Sequence, residues 1–362
     1  MRIFSLIFLL ALCSLADVAA QFKWNTVMLD GRTYVPVGEV SEFYRMRLQT
    51  TQDGFQLTGK GNVRSIAGQA EASELKIDGV KYALCFPIKT HDGQIYISAM
   101  DTTKIIEPIL RPAKIKNATA VHTVILDAGH GGHDGGATGD ELHETDMALD
   151  VVHRAARMLK AQGYRVVLTR KDDTFMPLEK RLELANRTPN AVFISVYFGD
   201  GKNSEASGIE TFVLTPRGVS SMGGDADDTE HPGNARDAEN ILLAATVHSA
   251  MVARSTIPDL GIKRGSFPEI RDVSIPSILI RGGAIANPDS RQSLARAIAN
   301  GVDRFRTSVA GQYVPASTPT PPEDSTPPAA EDFISPTATQ TDTPAPDRNN
   351  PNRRAVEEKM MR

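Results

Sequence analysis

The sequence predicts an α/β fold with helices flanking the sheet, preceded by a small β-rich domain. Three observations carry this. Over residues 121–310, short wholly apolar runs alternate with amphipathic stretches: Val124-Ile125-Leu126, Val166-Val167-Leu168, Val192-Phe193-Ile194 and Ile278-Leu279-Ile280. Runs of this kind are what strands buried on both faces of a sheet look like, and helices between them make the crossovers. Residues 22–115 instead hold Asp-Gly pairs, among them Asp30-Gly31, Asp78-Gly79 and Asp92-Gly93, within alternating apolar and polar residues, a hairpin signal. The two chain ends show neither pattern.

Taken in order, Arg2 precedes an apolar run from Ile3 to Leu15, and Val18-Ala19-Ala20 offers small residues for cleavage before Gln21. Residues 1–20 therefore read as a signal peptide, since a membrane span needs about 20 apolar residues. Export to the periplasm, envelope or medium is expected, with no membrane span after cleavage. Cleavage removes Cys13 and leaves Cys85 alone, so stability must come from a core rather than an internal disulfide.

In residues 22–115, Asp30-Gly31, Asp78-Gly79 and Asp92-Gly93 mark tight turns, because both central residues of a type I′ turn need positive φ. Val40 to Arg47 predicts a short helix with Val40, Phe43 and Tyr44 on one face. LDGRTYVPV and IDGVKYALCF read as partial copies of one unit. This stretch loosely resembles the small β-rich domain at the N-terminus of copper amine oxidases and of many wall-associated proteins. With His91 its only histidine, it is expected to bind or space rather than hold copper.

In residues 121–310, Met147 to Leu159 carries apolar residues at helical spacing and is closed by Gly163, completing a βαβ unit with the runs on either side. Leu178 to Ala185 and Ile241 to Met251 supply further helices. Residues 314–362 are rich in Pro, Thr and Ser with few large apolar side chains, and are expected to be a disordered tail.

The whole chain has 362 residues, a formal net charge of −4 and 41% hydrophobic residues. Such a balance lacks the basic excess of a nucleic-acid binder, so no nucleic-acid partner is expected. Function must come from local motifs. Ligands of α/β sheets gather at the carboxyl ends of strands, and there Asp127-Ala128-Gly129-His130-Gly131-Gly132 follows the first strand. Glu144 opens the next helix and can reach back to His130. A histidine with a carboxylate is half of a typical zinc site.

The blocks VILDAGHGGHDGGATG, His143-Glu144-Thr145-Asp146, VVLTRKDDTFMPLEKRLELAN, FISVYF, SGIETFVL, DLGIKRGSFPEIR and IPSILIRGGAIAN together resemble the zinc-dependent N-acetylmuramoyl-L-alanine amidases over residues 122–306. These enzymes cut the amide joining the glycan's lactyl group to the stem peptide of peptidoglycan. The resemblance implies an amidase-type mixed sheet, zinc as cofactor, and peptidoglycan or another envelope component as partner.

Carried over position by position, His130 and Glu144 match two zinc ligands of the family. Tyr197, in Ser195-Val196-Tyr197-Phe198-Gly199, stands where a second histidine would complete the site. Arg281, in Ile278-Leu279-Ile280-Arg281-Gly282, stands where the family has its general-base glutamate. A phenol with an unperturbed pKa of about 10 is a poor zinc ligand near neutrality, and a guanidinium is no base at any accessible pH. No catalytic set is left intact, zinc binding is expected to be weak or absent, and Arg281 is expected to pair with Glu144 in the metal's place.

Other residues weigh less. His133 is expected to be a solvated loop residue, and His143 to point away from Glu144. Gly223 to His231, with its run of carboxylates, is expected to be a rim loop. Arg170, Asp173, Arg181 and Asn186 are expected to brace one another, and Asn287-Pro288 to form a turn. Two functions follow: a catalytically degenerate amidase-like module that binds peptidoglycan or regulates wall hydrolysis, or an active amidase with a rearranged zinc site.

Overall fold

The computed structural model describes residues 22–62, 64–136, 143–198, 208–221, 226–253, 258–283 and 287–311. The expected signal peptide, the whole of the expected tail and part of the acidic segment lie outside the described residues.

The first part of the chain is built from hairpins. β1 (Val27–Leu29) and β2 (Arg32–Pro36) meet at Asp30-Gly31, β6 (Glu74–Ile77) and β7 (Val80–Ala83) at Asp78-Gly79, and β8 (Lys89–His91) and β9 (Gln94–Ser98) at Asp92-Gly93. Both residues of each pair adopt positive φ, as at Asp78 (52°) and Gly79 (84°). Two further strands, β3 (Arg47–Thr51) and β4 (Gly54–Thr58), form a hairpin that the sequence reading missed, followed by β5 (Ser65–Gln69). The short helix α1 spans Val37–Phe43, three residues earlier than expected, because Val37, Val40 and Phe43 form its buried face. Short helices α2 (Ala99–Asp101) and α3 (Glu107–Leu110), joined by a π-helical turn, lead out of this part.

The second part alternates β10 (Thr123–Ala128), α4 (Glu144–Ala161), β11 (Arg165–Leu168), α5 (Leu178–Asn186), β12 (Ala191–Tyr197), β13 (Ile209–Leu214), α6 (Asp237–Val252), β14 (Asp259–Gly265), α7 (Pro268–Arg271), β15 (Ser277–Arg281) and α8 (Pro288–Val309). The four apolar runs are strands, as predicted. β11, however, is half-exposed rather than buried on both faces, because it is the edge strand. The 22-residue α8 was not anticipated: Asn287 is its N-cap, accepting from the Asp289 N–H at 2.8 Å, with Pro288 at the first helical position. Asn287-Pro288 is thus a helix start rather than a plain turn.

One small sheet has the order β1-β2-β9-β8, and a large mixed sheet runs β11-β10-β12-β15-β13-β14-β7-β6-β5-β4-β3. β10, β11, β12 and β15 are parallel, while β13 enters antiparallel to β15. The large sheet crosses between the two parts where β14 pairs with β7, Ile262 opposite Tyr82. Alternate strand residues separate the faces. Val124, Leu126, Ile194 and Ile278 join the main core with α4, α6 and α8, and that core includes Leu57, Ile66 and Ile77 from the hairpin part. Ile125 and Phe193 face the other way, under α5. α6 and α8 cross at Gly301, where a Cβ would fall 2.5 Å from the Val247 Cα.

Candidate functional site

The chain leaves β10 at Asp127, which is fully buried and accepts from Thr169 Oγ1 (2.7 Å) and Ser195 Oγ (2.6 Å) on the neighbouring strand ends. Beyond it the backbone turns out of the sheet and strands its carbonyls, which must find donors if buried. Two buried arginines supply them. Arg170 donates to the carbonyls of Ala128, Gly129 and Thr145, at 3.0, 2.9 and 2.7 Å. Arg181 donates to the His130 carbonyl at 2.9 Å. Asp173 accepts from the Gly132 N–H, and Asn186 holds residues 272–274. These four side chains brace loops rather than one another.

Held in this way, His130 adopts a φ of 59°, a left-handed conformation sparsely used by non-glycine residues. Its ring lies between two carboxylates: Nδ1 is 2.9 Å from Asp134 Oδ1, and Nε2 is 3.3 Å from Glu144 Oε2. Burial works against the charged ring. The hydrogen bond and charge of Glu144, then those of Asp134, outweigh it and raise the His130 pKa. Glu144, buried at the first position of α4, also accepts the Phe198 N–H at 2.6 Å. Gly136 packs over the pair so closely that a Cβ there would lie 2.6 Å from the His130 ring and 2.8 Å from Glu144 Oε2.

Tyr197, the last residue of β12, sets its ring edge-on to His130, centroids 5.2 Å apart. Its face abuts Gly129, where a Cβ would fall 2.6 Å from the ring. The hydroxyl donates to Glu269 Oε1 at 2.7 Å. Burial, followed by the Glu269 charge, pushes the phenol well above its ordinary pKa. Burial likewise raises Glu269, whose second oxygen has no partner among the described residues.

Arg281 does not pair with Glu144. Its Nη1 donates to Glu210 Oε1 at 2.8 Å, and its guanidinium lies over the Phe212 ring. The reason is register. Glu210 stands directly opposite Arg281 across the antiparallel strands β13 and β15, whereas Glu144 is committed to His130 and the Phe198 amide. The site therefore brings His130 and Glu144 together, places Tyr197 beside them, and turns Arg281 toward another partner. His133 packs against Phe175, centroids 4.2 Å apart, and His143 is the exposed N-cap of α4.

The N-acetylmuramoyl-L-alanine amidase family model matches residues 124–303. The chain is 33% identical over 192 residues to the YqiI protein of Bacillus subtilis, covering 51% of this chain and 84% of that one. It belongs to the N-acetylmuramoyl-L-alanine amidase family. It is also 29% identical over 256 residues to the amidase AmiA of Salmonella typhimurium, covering 59% of this chain and 89% of the relative. A solved structure, the amidase AmiC2 of Nostoc punctiforme, shares 28% identity over 52% of this chain and 98% of its own, with a TM-score of 0.42.

Among the described residues the donor set is too small for the zinc that the family resemblance implies. His130 and Glu144 keep the arrangement of two ligands, Nε2 and Oε2 3.3 Å apart with Asp134 as an outer partner on Nδ1, but no third donor joins them. The Tyr197 hydroxyl is spent on Glu269, and Arg281, which gives Nη1 to Glu210, has no lone pair to offer a metal. Among the described residues no three His, Cys, Asp or Glu side chains are arranged to hold a metal ion.

Sequence reasoning missed Asp134, Glu210, Lys263 and Glu269 as partners, although each lies within a block that carried the resemblance. Glu210 had a usable signal, a carboxylate in step with the buried Phe212 of IETFVL. Such a residue needs a cation on the adjoining strand.

Proposed function

We propose that this chain is an exported amidase-family module that binds peptidoglycan, or regulates its hydrolysis, without cutting the lactyl–peptide amide. One observation carries the reading: each of the two replaced positions bonds a carboxylate of the scaffold, Tyr197 on Glu269 and Arg281 on Glu210, which it shares with Lys263. A site awaiting a metal and a base leaves those positions open to the ligand. Here the Tyr197 hydroxyl is tied into the scaffold, Arg281 can neither ligate a metal nor act as a base, and His130 lies between Asp134 and Glu144.

The test is zinc content and amidase activity of the purified chain after zinc loading and dialysis, alongside co-sedimentation with purified sacculi. Expected are no retained zinc, no release of stem peptide, and protein pelleting with the sacculi. Near-stoichiometric zinc with released peptide would overturn the reading in favour of an active amidase with a rearranged metal site. Restoration needs Tyr197→His and Arg281→Glu together, since either alone leaves the site short of a ligand or a base. Activity in the double variant is the expected mark of a decayed site on an intact scaffold.

A further inference from the structure

We propose that Arg281 and Lys263, held side by side by Glu210, form a binding subsite for a carboxylate borne by a peptide stem. The inference rests on the peptidoglycan reading above and names the group that the module grips.

Charge is the first argument. Glu210 Oε1 accepts from Arg281, and Oε2 accepts from Lys263 Nζ. Two cations around one carboxylate leave a positive charge unmatched among the described residues. The side chains of Arg281 and Lys263 are 28% and 27% exposed, against 6% for Glu210, so the surplus charge faces solvent. Of the other arginines at this end of the sheet, Arg181 has Asp127, and Arg170 is buried with its donors spent on the carbonyls of Ala128, Gly129, Thr145 and Asp172. Asp150 is also shared by two arginines, Arg154 and Arg291, but between α4 and α8 rather than at a strand end.

Position is the second. Arg281 closes β15 beside Tyr197, which closes β12, and ligands of α/β sheets bind outside the carboxyl ends of strands. Phe212 lies under the guanidinium, its centroid 5.2 Å away, and Phe267 braces Phe212 edge-on at 5.0 Å. The fork is thereby held in one plane.

Geometry and stoichiometry choose the ligand. Nη1 is taken by Glu210, while the Nε and Nη2 edge has no acceptor among the described residues. That edge matches the two oxygens of a planar carboxylate. A single unmatched charge suits a monoanion, whereas a phosphate dianion would leave negative charge in excess beside Glu210. Stem peptides end in carboxylates.

The experiment is calorimetric titration of the full chain with a soluble muropeptide whose stem carboxylates are free, and with the same muropeptide amidated. Amidation is expected to weaken binding roughly 10- to 100-fold, the range for lost hydrogen bonds to charged groups. Arg281→Gln should weaken the free form to a similar degree, and acetate should compete better than inorganic phosphate. Because amidation alters the ligand and leaves the protein untouched, the result does not depend on a variant folding. Equal affinity for both forms overturns the subsite. So does phosphate displacing the ligand at lower concentration than acetate. Sacculi bound while both soluble forms are ignored would overturn the subsite alone, and failure to bind sacculi or either form would overturn the peptidoglycan reading with it.

Discussion

The Tyr197 hydroxyl donates to Glu269 Oε1 across 2.7 Å, and both side chains are buried. A strand-end residue where the family resemblance implies a metal ligand is thus tied to a helix that carries no expected site residue. The pair makes a stability prediction with a defined sign. Burial raises the Glu269 pKa in the folded state, so its contribution is fully present below the ordinary carboxyl pKa and is lost as pH rises through the folded value. Glu269→Gln should therefore raise the melting temperature at pH 7 and lose that advantage toward pH 4. Tyr197→Phe should lower stability by about 1–3 kcal/mol at pH 7, the cost of a buried acceptor left without its donor. Thermal unfolding across pH measures both.

Asp127 ties three elements together through Thr169, Ser195 and Arg181. Asp127→Asn replaces one of the two acceptor oxygens with a donor that faces another donor, and removes the charge beside Arg181. A loss of about 3–5 kcal/mol is expected, as for breaking a buried pair. Urea denaturation of the two proteins checks it, and a loss below about 1 kcal/mol would mean that the arginines hold the glycine loop unaided.

His248 is fully buried, with Nδ1 2.9 Å from Thr211 Oγ1 and Nε2 2.9 Å from Asp259 Oδ1. Burial acts to raise Asp259, but the hydrogen bond and charge of His248 prevail and lower its pKa. Stability from a lowered carboxylate is present above its unfolded pKa, near 3.9, and is lost as pH falls through the folded value. The stability gap between the parent and Asp259→Asn should therefore be widest above pH 5 and close toward pH 3. A gap independent of pH would contradict the assignment.

Gly301→Ala places a Cβ 2.5 Å from the Val247 Cα, against backbone that cannot rotate aside. Separating α6 from α8 should cost about 1–3 kcal/mol. Chemical denaturation reads the loss, and an unchanged midpoint would show that the helices can part freely.

Much of this architecture was legible in the residues. The apolar runs marked four parallel strands, three inside the sheet where no polar face is needed and β11 at its edge, and Asp-Gly marked three hairpins through its tolerance of positive φ. Asp53-Gly54 carries the same dipeptide at the β3–β4 hairpin but one residue out of step: Gln52 and Asp53 make the turn, neither at positive φ, and Gly54 already belongs to the strand. α8 escaped because many of its buried positions are small, among them Ala295, Ala297, Ala299 and Gly301, so its apolar stripe is faint beside that of α4. At the site, the His130–Glu144 meeting followed from a glycine loop facing a helix start. The partner of Arg281 did not, since it depends on β13 entering antiparallel and on a register that sets Glu210 opposite. Pairing across distant strands leaves little trace in either strand alone.

The continuity of the large sheet from β14 into β7 bears on how this chain can be divided. A fragment beginning at the family-matched Val124 would strip β14 of one neighbour and bare the amide groups of an interior strand. It would also uncover apolar side chains of α6 that now lie against the hairpin part. Bare strand edges template pairing between chains. The β-rich part thus covers a strand edge that the amidase-family part alone would leave open to pairing.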